Sequence, residues 1–208
     1  MRRIFLFLLL SACCPPADAH SIPGCANSTT PACVTLVGAF GSVPAADAGQ
    51  FTVIVRDCAN NPVSGAVVVI DLSACADLHL CADQLDPSAT VDCAQKRVTK
   101  IAAADGSVSF TLLGGSNGPG NASTLLGGGR IYANGTLIRS PTVAAFDLDG
   151  VGLFGAADLS AWLTDFGSGL PYGRSDYDCD GAVGAGDLSV WLTVFSAGSF
   201  RSCTSKCP

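Results

Sequence analysis

Residues 51–70 decide the fold. They read Phe51-Thr52-Val53-Ile54-Val55-Arg56-Asp57, then Asn60-Asn61-Pro62-Val63-Ser64-Gly65, then Ala66-Val67-Val68-Val69-Ile70. The first run is rich in aromatic and β-branched side chains, which fit a pleated, half-buried surface. The second is turn chemistry. The third is an apolar strand candidate. Further along, residues 97–102 form another candidate strand, and Ala104-Asp105-Gly106 turns the chain into 107–113. Residues 130–133 and 136–139 flank Asn134-Gly135, the strongest short-range hairpin signal in the chain. Short strands broken by turns predict an antiparallel β-sandwich. It is expected over residues 33–145, after an N-terminal segment over 20–32.

Composition excludes other classes. The chain has 208 residues, and all 17 acidic ones are Asp, with no Glu. Glu favours helices and Asp does not. With 24 Gly and 11 Pro besides, a helical bundle or coiled coil is not expected. The net charge of -6 lacks the basic footprint of a nucleic-acid binder.

The amino terminus has the pattern of a secretory signal peptide over 1–19. Arg2 and Arg3 precede an unbroken apolar run over 4–10, far short of the roughly 20 residues that span a bilayer. Ala17-Asp18-Ala19 is an A-x-A cleavage site. Leu10-Ser11-Ala12-Cys13 also resembles a lipobox, which would anchor the chain by a lipid at Cys13. No later run is expected to be a transmembrane segment. The expected location is extracellular, secreted or at the cell surface, rather than periplasmic.

Export makes disulfides the default state of cysteine. Beyond the signal segment the candidates are Cys25, Cys33, Cys75, Cys81, Cys93, Cys203 and Cys207, with Cys58 and Cys179 completing an odd set of nine. Cys203 and Cys207 are close enough in sequence to pair with each other. His79 stands between Cys75 and Cys81 and could imitate a zinc site, though disulfides with an incidental His are the preferred reading.

The order of the β segments resembles bacterial immunoglobulin-like domains of the invasin/intimin type. The matching pieces are Val55-Arg56-Asp57, Asn60-Asn61-Pro62-Val63-Ser64-Gly65-Ala66-Val67-Val68, and Ala104-Asp105-Gly106-Ser107-Val108-Ser109-Phe110. Asn60 stands where that family usually has Gly, and the cysteine-rich insertion over 73–93 is long. The resemblance implies a spacer, stalk or adhesin segment rather than an enzyme.

The carboxy-terminal part contains a repeat. A shift of 29 aligns 147–166 with 176–195, and 12 of the 20 positions are identical. The second copy places Asp176, Asp178, Asp180 and Asp187 at loop positions 1, 3, 5 and 12, with Gly181 at 6. Alternate positions on a tight loop aim carboxylates at one point, as a hard cation with six to eight oxygen ligands requires. The Ala182 carbonyl supplies position 7, and water serves at Gly184. The first copy keeps Asp147, Asp149, Gly152 and Asp158, but Val151 replaces the position 5 Asp. Helix capping by Asp158 and Asp187 accounts for one Asp per loop but not for the alternate spacing.

An EF-hand closes with Glu at position 12. These loops close with Asp, are duplicated, and each precedes a single helix. That arrangement resembles a type I dockerin repeat pair, over 146–200, ahead of a Cys-containing tail over 201–208. Leu159, Trp162, Leu163 and Phe166, and equally Leu188, Trp191, Leu192 and Phe195, fall at i, i+3, i+4 and i+7. Each set forms one apolar stripe, and the two stripes are expected to pack together and bury both tryptophans.

The resemblance implies calcium as the cofactor and a cohesin-like or other surface protein as the partner. Ala156-Ala157 and Ala185-Gly186 carry no hydroxyl or charge, which points away from a standard cohesin. Calcium binding is expected to order the module after export. The alternative role is a cohesin-docking subunit of a polysaccharide-degrading complex, with the sandwich binding carbohydrate. Catalytic constellations are poor. Gly114-Gly115-Ser116-Asn117-Gly118 fits G-x-S-x-G, but Pro119 follows and no His occurs after residue 79.

Overall fold

Asp57 closes the first of these turns. Its Oδ1 accepts the Ala59 and Asn61 N–H groups, both at 2.8 Å, and Asn60 takes the left-handed conformation with φ 67°. The computed structural model describes residues 22–24, 26–118 and 128–207. The signal segment, Cys13 and Cys25 lie outside the described residues.

The described chain is mainly β. Its strands are β1 (Cys33–Leu36), β2 (Ala39–Phe40), β3 (Val43–Pro44), β4 (Gln50–Ile54), β5 (Val67–Asp71), β6 (Leu78–Leu80), β7 (Thr90–Asp92), β8 (Arg97–Ile101), β9 (Ser107–Thr111), β10 (Gly114–Ser116), β11 (Arg130–Ala133), β12 (Thr136–Arg139) and β13 (Thr142–Ala145). A one-turn helix, α1 (Ala46–Gly49), precedes β4. The largest sheet is antiparallel throughout, in the order β12-β11-β5-β8-β7. β4 pairs with β9 and β6 with β10, also antiparallel, while β1 runs parallel to β13.

The hairpin between β11 and β12 turns on Asn134 (φ 47°) and Gly135 (φ 78°), the conformation a two-residue turn of this type needs. Alternate residues point inward, as the period of two dictates. Leu36, Val53, Val68, Ile70, Val98, Phe110, Ile131 and Val143 meet in one core.

A second core joins the β part to the repeats. Phe146 follows β13 directly, stacks on Tyr177 with centroids 4.8 Å apart, and meets Phe154 and Phe200 edge-on. Val37, Leu113 and Ala144 of the β part belong to the same cluster, with Trp162 and Trp191. Three helical pieces follow: α2 (Ala156–Ser168), a 3-10 turn at Gly173–Ser175, and α3 (Ala185–Ala197).

The buried face of these helices differs from the expected stripe. α2 buries Asp158, Ala161, Trp162 and Asp165 with Leu159 partly covered, and α3 buries Asp187 and Trp191 with Leu188, Val190 and Val194 partly covered. The buried face is turned by one residue. Leu163, Phe166, Leu192 and Phe195 stay 40–51% exposed. Both tryptophans are buried, but Trp191 lies against Phe154 of the first loop (5.1 Å), and Trp162 donates to the Ser175 carbonyl (3.2 Å). The cause is polar. Asp158 and Asp187 must face their loops, and Asp165 must reach Arg174.

Among the described residues, three disulfides tie the two parts together: Cys33–Cys179, Cys81–Cys203 and Cys93–Cys207. Of the pairings the spacing leaves open, Cys203–Cys207 is not the one formed, because the tail runs beside β6 and meets the insertion instead. Cys81 pairs with Lys206 across a β-bridge, and Cys207 donates to the Leu80 carbonyl at 2.8 Å. Cys75 is also corrected: it is a buried free thiol, raised to about 12 by burial. With Cys81 and Cys93 bridged, no zinc set remains around His79 among the described residues.

Candidate metal centre

The two loops are built alike. Asp158 closes the first: its Oδ1 accepts the Leu148 and Asp149 N–H groups (2.7 and 3.0 Å), and its Oδ2 accepts Gly155 N–H (2.7 Å). Asp187 does the same for Tyr177, Asp178 and Gly184 at 2.5, 3.1 and 2.7 Å. The position 12 carboxylate thus holds three backbone donors and caps the following helix. Positions 4 and 6 are left-handed in both loops: Gly150 (φ 74°) and Gly152 (88°), Cys179 (64°) and Gly181 (91°). Such φ values favour Gly. Cys179 accepts this conformation at a position bridged to Cys33 of β1.

Each loop gathers three carboxylates. Asp147, Asp149 and Asp158 bring oxygens within 4.8 Å of one another, and so do Asp176, Asp178 and Asp187. At about 4 Å, and an effective dielectric of about 20, each like pair costs on the order of 4 kcal/mol. Burial first, then neighbouring Asp charge, raises Asp147, Asp176 and Asp187 above the usual carboxylate range. Asp158 is pushed up to about 6 by burial. Groups in this condition favour a cation or a proton among them.

Asp180 stands outside its cluster. It is exposed, and its Oδ1 accepts Ala182 N–H at 2.9 Å. Repulsion from three carboxylates and an easier local donor explain that placement. Ala182 is exposed at the loop rim. A Cβ at position 11 of the second loop would collide with the Asp178 carboxylate, and Gly186 avoids this.

The loops differ in one buried atom. Asp176 is only 1% exposed. Its Oδ2 accepts Gly181 N–H at 3.3 Å, but its buried Oδ1 makes no hydrogen bond. Such an atom costs about 1–3 kcal/mol, and more when charged. Asp147, its counterpart, has both oxygens bonded: Oδ1 to Gly150 N–H at 3.0 Å, Oδ2 to the Ser202 hydroxyl.

A buried network that no sequence motif marks supports the first loop. Arg174 donates through Nε and Nη2 to both oxygens of Asp165, each at 2.8 Å, and Ser175 Oγ donates to Asp165 at 2.6 Å. Arg174 also reaches Ser116 Oγ and the Gly118 carbonyl at 2.9 Å. Ser116 of the G-x-S-x-G motif is therefore a buried strut, not an exposed nucleophile. Neither Arg174 nor Asp165 lies on a repeat position that marks it, and Ser202 is distant in sequence.

A comparison with known proteins finds no matching family model, no matching curated protein and no matching solved structure. Among the described residues no helix is long and apolar enough to cross a membrane.

Proposed function

We propose that the chain is an exported, non-enzymatic calcium-binding protein that serves attachment or assembly at a cell surface or in an extracellular matrix. An immunoglobulin-like sandwich carries a dockerin-like repeat pair in this reading. The single shared core of the large sheet, β4–β9 and β1–β13 supports the first part. The duplicated loop geometry supports the second.

The observation that carries calcium is the bare, buried Asp176 Oδ1 inside a three-carboxylate loop. A hard cation satisfies that oxygen and offsets the repulsion around it. Asp176, Asp178 and Asp187 hold the ion, and Asp180, the Ala182 carbonyl and water complete six or more oxygens. Calcium then stiffens a loop already fastened to the β part, rather than folding a separate unit. At 100-fold above the dissociation constant it adds about 2.7 kcal/mol, or roughly 5–10 °C in Tm at this chain length.

The test is a calcium titration of the apo-protein followed by Trp fluorescence and differential scanning calorimetry. A saturable response, lost in Asp178→Ala, is expected. Silence in the wild type, or an unchanged response in Asp178→Ala, overturns the reading.

One observation favours the second reading of a cohesin-docking, polysaccharide-binding subunit. The exposed Leu163, Phe166, Leu192 and Phe195 offer apolar contact surface on both helices. Pull-down with cohesins, with and without calcium, and a glycan array separate the two readings.

A further inference from the structure

We infer that the chain binds one calcium ion, in the second loop, and that its disulfide-pinned tail takes the place of the ion in the first. This rests on the calcium reading of the second loop and assigns the first loop a different role.

The tail runs along the first loop as an added strand. Phe154 N–H donates to the Phe200 carbonyl at 2.9 Å, and Ser202 N–H donates to the Gly152 carbonyl at 2.8 Å. Leu153 and Arg201 form an antiparallel bridge. From this strand the Ser202 hydroxyl donates to Asp147 Oδ2. Lys206 Nζ donates to the Gly150 carbonyl at 2.6 Å, bringing a positive charge to loop position 4. Both oxygens of the position 1 carboxylate, which a bound cation would face, thus already accept a hydrogen bond from the protein, whereas Asp176 keeps one oxygen with none.

The tail is held there covalently. Cys203 follows Ser202 and is bridged to Cys81, and Cys207 follows Lys206 and is bridged to Cys93. Ser202 is 2% exposed, so its hydroxyl cannot trade Asp147 for water without moving the bridged segment. Among the described residues the second loop has no such strand. Its neighbour at position 4 is the Cys33 bridge, which brings no donor or charge to Asp176. Val151 fits the same account: with a hydroxyl and an ammonium supplied by the tail, the first loop has no use for a fourth carboxylate, and Val151 stands 78% exposed.

Isothermal titration calorimetry on the oxidised full chain decides the matter, with calcium alone as the probe. One equivalent is expected. Asp149→Ala should keep that stoichiometry and a Kd within about twofold, whereas Asp178→Ala should lose binding. In the Ser202→Ala/Lys206→Ala double variant, Asp147 becomes as bare as Asp176, and a second, weaker equivalent should appear. Two equivalents in the wild type, loss of binding in Asp149→Ala, or one equivalent in the double variant overturns the inference. No binding at all in the wild type instead overturns the calcium reading itself.

Discussion

The first and second loops share sequence, closing carboxylate and left-handed turns, yet each is secured by a different device. In the first, a tail from the far end of the chain brings a hydroxyl to the Asp147 carboxylate and an ammonium to the Gly150 carbonyl beside it. In the second, the backbone is fastened by Cys33–Cys179, but Asp176 keeps one buried oxygen without a donor. The lesson is electrostatic. A cluster of like charges can be settled by a mobile cation or by the protein's own donors. In the proposed reading the first solution answers to the external calcium concentration, and the second is fixed when the disulfides form.

The comparison is broken most severely through what the loops have in common. Trp162→Ala and Trp191→Ala each remove a ring only 1% exposed, and each should cost about 3–5 kcal/mol. Chemical denaturation in saturating calcium reads this directly. A cost confined to one tryptophan would mean that the two repeats do not share a core.

The Cys33→Ala/Cys179→Ala pair separates the loops. Removing the bridge should cost about 2–4 kcal/mol of stability and weaken calcium binding, because Cys179 then holds φ 64° with no bond to keep it. Calorimetry with and without calcium measures both effects. An unchanged calcium affinity would show that the bridge fastens the loop without shaping it.

A pH series probes the first loop's side of the molecule. His79, on β6, is lowered to about 4, first by burial and then by the charge of Lys206. The folded ring holds its proton more weakly than the unfolded one at 6.5. Between these values the unfolded chain carries the extra proton, so stability falls as pH drops from about 6.5 to 4. The size is about 3 kcal/mol. The raised Asp158 acts in the opposite sense, so the readout is the difference between wild type and His79→Phe. Parallel pH profiles for the two would refute the assignment.

The smallest effect is at position 11. The first loop has Ala157 there and the second has Gly186, whose added Cβ would meet the Asp178 carboxylate. Gly186→Ala should weaken calcium by about tenfold, equivalent to about 1.4 kcal/mol and within the usual cost of overpacking. Its Tm without calcium should change little, since Asp178 is exposed. An unaltered Kd would mean that Asp178 is not a ligand.

Much of this molecule was legible before its structure. The strands over 50–71, 97–111 and 130–139 follow the β-branched runs and their turns closely, and Asn134-Gly135 makes the hairpin its sequence announces. The repeat spacing places Asp147, Asp149 and Asp158, and likewise Asp176, Asp178 and Asp187, together. These are local matters: side-chain period, turn conformation and loop spacing act over a few residues.

The tertiary structure decided the rest. Helix periodicity alone selects Leu163 and Phe166 for burial, but a carboxylate that must close a loop turns the helix by one residue. Disulfide connectivity came from the path of the tail beside β6, which no spacing encodes. The hydroxyl donor to Asp147 comes from 55 residues away and the cross-link to Cys179 from 146 residues away. Sequence therefore marks the loop carboxylates that can gather around a cation, while the fold leaves Asp180 outside the cluster. Only the fold, by bringing a hydroxyl to one buried carboxylate and none to its twin, distinguishes the loop that has its own donors from the loop that lacks one.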